Sequence, residues 1–140
     1  MPNAAPEDAR EASVPIESVN DIVAARRQCR TMAERLGFSS SEATLLATAI
    51  SELARNIVAY AQRGEVVIRA ANHSGRQGVM VIARDHGPGI ADVRLALQQG
   101  YSPSGGLGLG LPGVRRIMDS FTVDSGPDRG TTITVTKWKI

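Results

Sequence analysis

The apolar residues of this chain change period near its middle, and that change limits the folds open to it. Leu46, Ile50, Leu53 and Ile57 recur at helical spacing over a stretch that reaches about Tyr60. Beyond a break at Gln62-Arg63-Gly64, residues 65–70 and 78–84 read as strands joined by turn chemistry over 72–78. A long amphipathic helix that feeds an antiparallel hairpin must lay its apolar stripe on the sheet. Upstream, Val14-Pro15-Ile16 reads as a short edge strand, since proline is confined to edges. A helix follows from Ser18 or Asn20, with Ile22, Val23, Cys29, Met32, Ala33 and Leu36 as its apolar positions and Gly37 as its stop. Ser39 and Glu42 have capping-box spacing at the head of the long helix.

The second half adds a short helical stretch around 92–98 and a helix opened by Gly110-Leu111-Pro112-Gly113, with Val114, Ile117 and Met118 apolar. Strands over 121–125 and 131–137 flank a turn at 126–130. The order strand, helix, helix, strand, strand, helix, strand, strand predicts an α+β domain. Its architecture is a two-layer α/β sandwich: a mixed, mainly antiparallel sheet with the helices on one face. Residues 1–12 are polar, carry proline and read as a flexible tail, which leaves 13–140 as one domain.

Composition narrows the function. The formal net charge is +2, and the chain is 42% hydrophobic but only 4% aromatic, so Val, Ile, Leu, Ala and Met must build the core. Lys137 and Lys139 are the lysines, and the arginines are scattered, adjacent only at Arg26-Arg27 and Arg115-Arg116. That is no nucleic-acid footprint, which needs basic residues gathered on one face. Cys29 stands alone, so no intrachain disulfide forms, and no Cys/His spacing suggests zinc. No apolar run reaches the ~18 residues of a membrane span, and the N-terminus lacks signal-peptide order. The expectation is a cytoplasmic protein that binds neither membrane nor nucleic acid.

Four segments carry polar chemistry. Glu52 and Asn56 are four apart on the long helix and share a face between its apolar stripe and the outside. An asparagine oxygen suits Mg²⁺ that is otherwise held by phosphates and waters, and Glu52 can take a proton from a hydroxyl. A polar pair on an outward helix face has the same pattern. Asp85-His86-Gly87-Pro88-Gly89-Ile90 follows the strand at 78–84: a carboxylate able to accept from an exocyclic amine such as that of adenine, with glycines that admit a flat ligand. A plain turn after a strand is the alternative.

The glycine-rich segment 100–111 then starts a helix, and its N–H groups make an anion site suited to phosphates. It lacks the Gly-Lys-Ser/Thr ending of a P-loop and the context of a dinucleotide fingerprint, and a flexible linker is its bland reading. Thr131 and Thr132 follow Gly130 at the head of a strand, where β-propensity alone also favours threonine.

In this order the segments resemble the four nucleotide-binding boxes of the GHKL ATPase/kinase superfamily. Glu52-Leu53-Ala54-Arg55-Asn56 resembles the N box and Asp85-His86-Gly87-Pro88-Gly89 the G1 box. Residues 105–110 resemble the G2 box and Gly130-Thr131 the G3 element, so the match spans roughly residues 45–135. The small size and the short segment between the glycine boxes resemble the anti-sigma-factor serine kinases. Ser51-Glu52-Leu53-Ala54-Arg55-Asn56, Gly100-Tyr101-Ser102, Ser104-Gly105-Gly106-Leu107-Gly108, Gly110-Leu111-Pro112-Gly113-Val114 and the Lys137-Trp138 ending resemble the serine/threonine kinases of the stressosome.

The resemblance implies the Bergerat (GHKL) ATP-binding fold, with ATP and Mg²⁺ as cofactors. It implies phosphorylation of serine or threonine on STAS-domain antagonist and scaffold proteins. It also implies binding and activation of a PP2C-type phosphatase in a stress-response partner-switching pathway. By carry-over Glu52 is the catalytic base, Asn56 the magnesium ligand and Asp85 the adenine contact. Gly87 and Gly89, with Ile90 beside them, shape the adenine pocket. Gly105, Gly106, Gly108 and Gly110, with Leu107 among them, hold phosphates, and Thr131 supports the adenine.

One alternative is an ATP-binding anti-sigma-factor module that acts by docking a sigma factor. Another is a detached histidine-kinase ATPase domain acting in trans. The chain departs from sensor histidine kinases in having no room for a helical phosphoacceptor domain before residue 18. It also shows no extension of the gyrase, chaperone or MutL kind.

Overall fold

A computed structural model describes residues 11–87, 110–126 and 129–140 of the chain. Strand β1 (Glu11–Ile16) leads into helices α1 (Val19–Arg35) and α2 (Ser40–Asn56), then one π-helical turn, Ile57–Ala61. The hairpin β2 (Gly64–His73) and β3 (Arg76–Asp85) follows, then α3 (Gly110–Ile117), β4 (Ser120–Ser125) and β5 (Thr131–Trp138). The sheet runs β1-β2-β3-β5-β4, and every pairing is antiparallel among the described residues, so the expected mixed character is absent from them. The expected helix around 92–98 and most of the expected tail lie outside the described residues.

Local chemistry sets these elements. Ser39 Oγ accepts from Glu42 N–H at 3.1 Å, while the Glu42 carboxylate accepts from Ser39 N–H at 3.0 Å, closing the capping box that starts α2. Helix α1 ends as Phe38 N–H reaches Ala33 O and Gly37 N–H reaches Glu34 O, both at 3.0 Å, the Schellman pattern. The hairpin turn is tighter than the turn residues over 72–78 suggest. Ser74 and Gly75 alone make it, both at positive φ, as a two-residue primed turn requires. Its flanking polar residues therefore continue the ladder.

Strand alternation then sorts the two faces of the sheet. Val14, Ile16, Val66, Ile68, Val79, Val81, Ala83, Ile133 and Val135 are buried toward the helices. Leu46, Ile50, Leu53 and Ile57 meet them, all four at most 2% exposed. At roughly 2 kcal/mol for each large apolar side chain removed from water, this seam between α2 and the sheet contributes substantially to stability. The run 78–84 is thus a half-buried strand, with Met80 and Ile82 on the other face. Val23, expected in the α1 stripe, is instead exposed. Helix α3 packs against α2 through Leu111 and Val114.

Candidate functional site

The C-terminal turns of α2, the end of β3, the head of β5 and the N-terminus of α3 meet at one end of the sandwich. Pairing places Asp85 opposite Gly64 on one side and Thr131 on the other, and Thr131 is in turn opposite Ser125. Cross-strand partners point to the same face. In the same row Ile16, opposite Gly64, is buried toward the helices, so Asp85 and Thr131 point to the helix side. A Cβ on Gly64 would lie 3.0 Å from Ile57 Cγ2 and 3.1 Å from Asp85 Cβ, so the end of α2 reaches the Asp85 strand end directly.

Glu52 and Asn56 are on that end of α2, one turn apart. The sequence puts Glu52 between the apolar stripe and the outside, and the structure buries the carboxylate, at 7% residue exposure. The reason is α3, which packs on α2 and covers it. Glu52 Oε2 accepts the backbone N–H of Gly110 at 3.3 Å, and Oε1 accepts from Arg55 Nη1 at 2.6 Å. A helix N-terminus carries partial positive charge, so the carboxylate suits its place at the start of α3. The other end of α3 is matched by the buried Lys137, whose Nζ donates to Ile117 O at 3.2 Å. Asn56 is half-buried.

Asp85 turns the chain with its own side chain: Oδ1 accepts from Gly87 N–H at 2.9 Å. Gly87 presses on the π-helical turn, where an added Cβ would lie 2.7 Å from Ala61 Cβ. Gly130, at φ +75°, presses on the Asp85 strand end from the other side, where a Cβ would lie 2.3 Å from Asp85 O. Thr131 is buried, and its Oγ1 is 2.8 Å from Ser125 Oγ. Glu52, Asn56, Asp85, Gly87, Gly110 and Thr131 are thus brought to one end of the fold. Gly89, Ile90, Gly105, Gly106, Leu107 and Gly108 lie outside the described residues.

Sequence reading gave no role to Arg55, Ala61, Gly64, Ser125 or Lys137. Only Arg55 had a signal, its i,i+3 spacing from Glu52; the others depend on pairing across distant segments. A groove of about 510 Å³ lies near the same rim, lined by residues including Glu17, Arg63, Arg84 and His86, and contains none of the predicted residues. His86 itself is exposed.

Among the described residues no three His, Cys, Asp or Glu side chains gather to hold a metal. Asn56, half-buried at the end of α2, carries a side-chain oxygen of the kind that could serve as one ligand to a Mg²⁺ held otherwise by phosphates and water. Away from the site, burial pushes the Cys29 thiol up to about 12. The Ser39 backbone N–H holds the Glu42 carboxyl below its ordinary range, against a smaller opposing effect of burial. No helix among the described residues is long and apolar enough to cross a membrane.

The histidine kinase-like ATPase domain model matches residues 17–137. The serine/threonine-protein kinase RsbT of Bacillus subtilis is 49% identical over 118 residues, 84% of this chain and 89% of that protein. An anti-sigma F factor of Caldanaerobacter subterraneus is 30% identical over 120 residues, 81% of this chain and 82% of that protein. Among solved structures, the RsbU and RsbW domains of a Mycobacterium tuberculosis protein superpose with a TM-score of 0.58 at 21% identity, covering 90% of this chain and 32% of that one. The chain belongs to the histidine kinase-like ATPase family, whose domain binds ATP and has the GHKL fold. Within that family it groups with the RsbT-type serine/threonine-protein kinases, and is an enzyme of that class.

Proposed function

We propose that the chain transfers the γ-phosphoryl group of ATP to a serine or threonine of STAS-domain antagonist and scaffold proteins. When released from them it activates a PP2C-type phosphatase by binding, in a cytoplasmic stress-response partner-switching pathway. The observation that carries the catalytic part is the buried Glu52 carboxylate, held at the N-terminus of α3 one turn from Asn56. Glu52 accepts the proton of the acceptor hydroxyl, and Asn56 contributes an oxygen to Mg²⁺, which neutralises phosphate charge when bound. Asp85 accepts from the adenine amino group, Gly87 and Gly130 allow close backbone approach there, and Thr131 supports the base. The glycines before Gly110 offer N–H groups to phosphate, while the N–H of Gly110 itself is taken by Glu52.

Phosphate transfer from labelled ATP to a recombinant STAS-domain protein tests this reading. The wild-type chain labels serine or threonine and Glu52→Ala does not; full transfer by Glu52→Ala sinks the base assignment. The similarity to an anti-sigma F factor favours one second reading, an ATP-binding module that docks a sigma factor. Co-purification with a sigma factor, with no transfer to any STAS-domain protein, would decide for it.

A further inference from the structure

Arg55 belongs to the segment that carries Glu52 and Asn56 but has no part in the proton and metal chemistry proposed for them. It stands in the last turn of α2, three residues after Glu52, and its Nη1 is 2.6 Å from Glu52 Oε1. Most ion pairs at this spacing lie in solvent and contribute only a few tenths of a kcal/mol to a helix. This one is asymmetric. The Arg55 side chain is 44% exposed, but the Glu52 side chain is only 9% exposed, beneath α3. The guanidinium reaches in from the rim and meets a carboxylate that water barely touches. The other salt bridges among the described residues join side chains that are at least 40% exposed on both partners.

The two contacts on the carboxylate come from different elements. Oε1 is held by Arg55 of its own helix and Oε2 by the backbone of Gly110, across the α2–α3 contact. Together they fix the position of the carboxylate and the rotation of its plane. A carboxylate has about four acceptor sites, so two donors leave two free for a hydroxyl. The 3.3 Å backbone contact alone is the longer and weaker of the two, and it would leave the terminal torsion of the glutamate loosely held. Arginine suits such a task because its planar fork fixes direction as well as charge, which an ammonium does not.

We propose that Arg55 is the positioning residue of the Glu52 carboxylate: it touches no reacting atom and acts by holding Oε1. The proposal rests on the assignment of Glu52 as the base. In phosphoryl transfer the protein contributes placement more than proton affinity, and a displacement of about 1 Å can lower the rate ~100-fold. Loss of one of two anchors moves the carboxylate less than that, and a fall of ~10-fold is expected.

The test compares wild type, Glu52→Gln, Arg55→Ala, Arg55→Lys and the double variant Glu52→Gln/Arg55→Ala. The measurements are kcat for transfer to a STAS-domain protein, ATP hydrolysis, ATP affinity and the urea midpoint of unfolding. Arg55→Ala should lower kcat ~10-fold with ATP affinity within about twofold, and Arg55→Lys, which keeps the charge but not the directed fork, should recover only part of that loss, to about threefold below wild type. In the double variant, removing Arg55 should cause no loss beyond that of Glu52→Gln, because one residue acts through the other.

Wild-type kcat in Arg55→Ala, with Glu52→Gln inactive, overturns the role of Arg55 and leaves the base assignment standing. A full further tenfold loss in the double variant also overturns it, since Arg55 then acts independently of Glu52. So does a fall in ATP affinity or urea midpoint large enough to account for the loss. Wild-type transfer by Glu52→Gln overturns the base assignment itself, and the proposal with it.

Discussion

Gly130 is the position where one added methyl group should disturb both stability and ligand binding. Its φ is +75°, a left-handed conformation that places a side chain against its own backbone at ~1–2 kcal/mol. The methyl would also lie 2.3 Å from Asp85 O and 3.0 Å from His86 Cα. Those are backbone atoms, and Asp85 is fixed in the ladder opposite Gly64 and Thr131, so no flexible side chain can give way. Relief requires the end of β3 to move away from the head of β5, an overpacking of ~1–3 kcal/mol. Gly130→Ala should therefore destabilise the fold by ~2–5 kcal/mol.

Gly75 supplies the control. Its φ is +82°, but an added Cβ would meet nothing within 4 Å. Gly75→Ala carries only the conformational penalty, partly offset by the stiffer unfolded chain, and should cost ~0.5–1.5 kcal/mol. Urea denaturation followed by circular dichroism gives both values, and their difference isolates the contact with Asp85. Gly75 also lies at the opposite end of β3 from Asp85, about 30 Å away along an extended strand. ATP titration should thus show weaker binding for Gly130→Ala and unchanged binding for Gly75→Ala. Equal stability losses, or equal ATP affinities, would refute the claim that Gly130 is pressed against the strand end that holds Asp85.

Asn56→Ala should abolish phosphate transfer at least as fully as loss of Glu52, since charge neutralisation by Mg²⁺ matters more than base strength; normal transfer would remove Asn56 as a metal ligand. Glu42 is held below the usual carboxylate range, so its stabilising contribution is present above the unfolded-state value and is lost as pH falls through the folded-state one. Urea midpoints of Glu42→Gln should accordingly fall less steeply than wild type between about pH 5 and 3. Cys29 is buried, with its thiol pushed up to about 12, so a thiol reagent at pH 8 should label it no faster than the chain unfolds. Lys137→Met should lower stability by about 1 kcal/mol in thermal melts, because Ile117 O loses its partner at the end of α3.

What the sequence makes legible follows from how far each determinant extends along the chain. The α2 stripe, the Ser39–Glu42 cap and the Gly37 stop involve residues within a few positions of one another, and each reads directly. The tight Ser74-Gly75 turn was hidden among other turn-forming residues, although Asn72, His73, Arg76 and Gln77 continue the ladder. The burial of Glu52 was not legible at all. It depends on α3, more than fifty residues later, and helical spacing alone gives a polar residue beside an apolar stripe no reason to face inward. The coupling of Gly130 to Asp85 is hidden in the same way, because strand pairing across 45 residues creates it.

That burial changes how the motif around Glu52 is to be understood. On an open helix face, Glu52 and Arg55 would be one exposed pair among several, and Gly110 would be only the first residue of a helix. With α3 laid over α2, the carboxylate joins the two helices. It receives the guanidinium of its own turn and closes the N-terminus of the next helix. Lys137 meets the opposite end of α3, so groups of the sign that suits each pole hold this helix at both ends. Moving α3 by even part of a turn would break the contact that orients the Glu52 carboxylate. The position of the Glu52 carboxylate and the packing of α3 are therefore one structural property, and if Glu52 is the base as proposed, changes at the α2–α3 contact should alter transfer without touching Asp85 or Thr131.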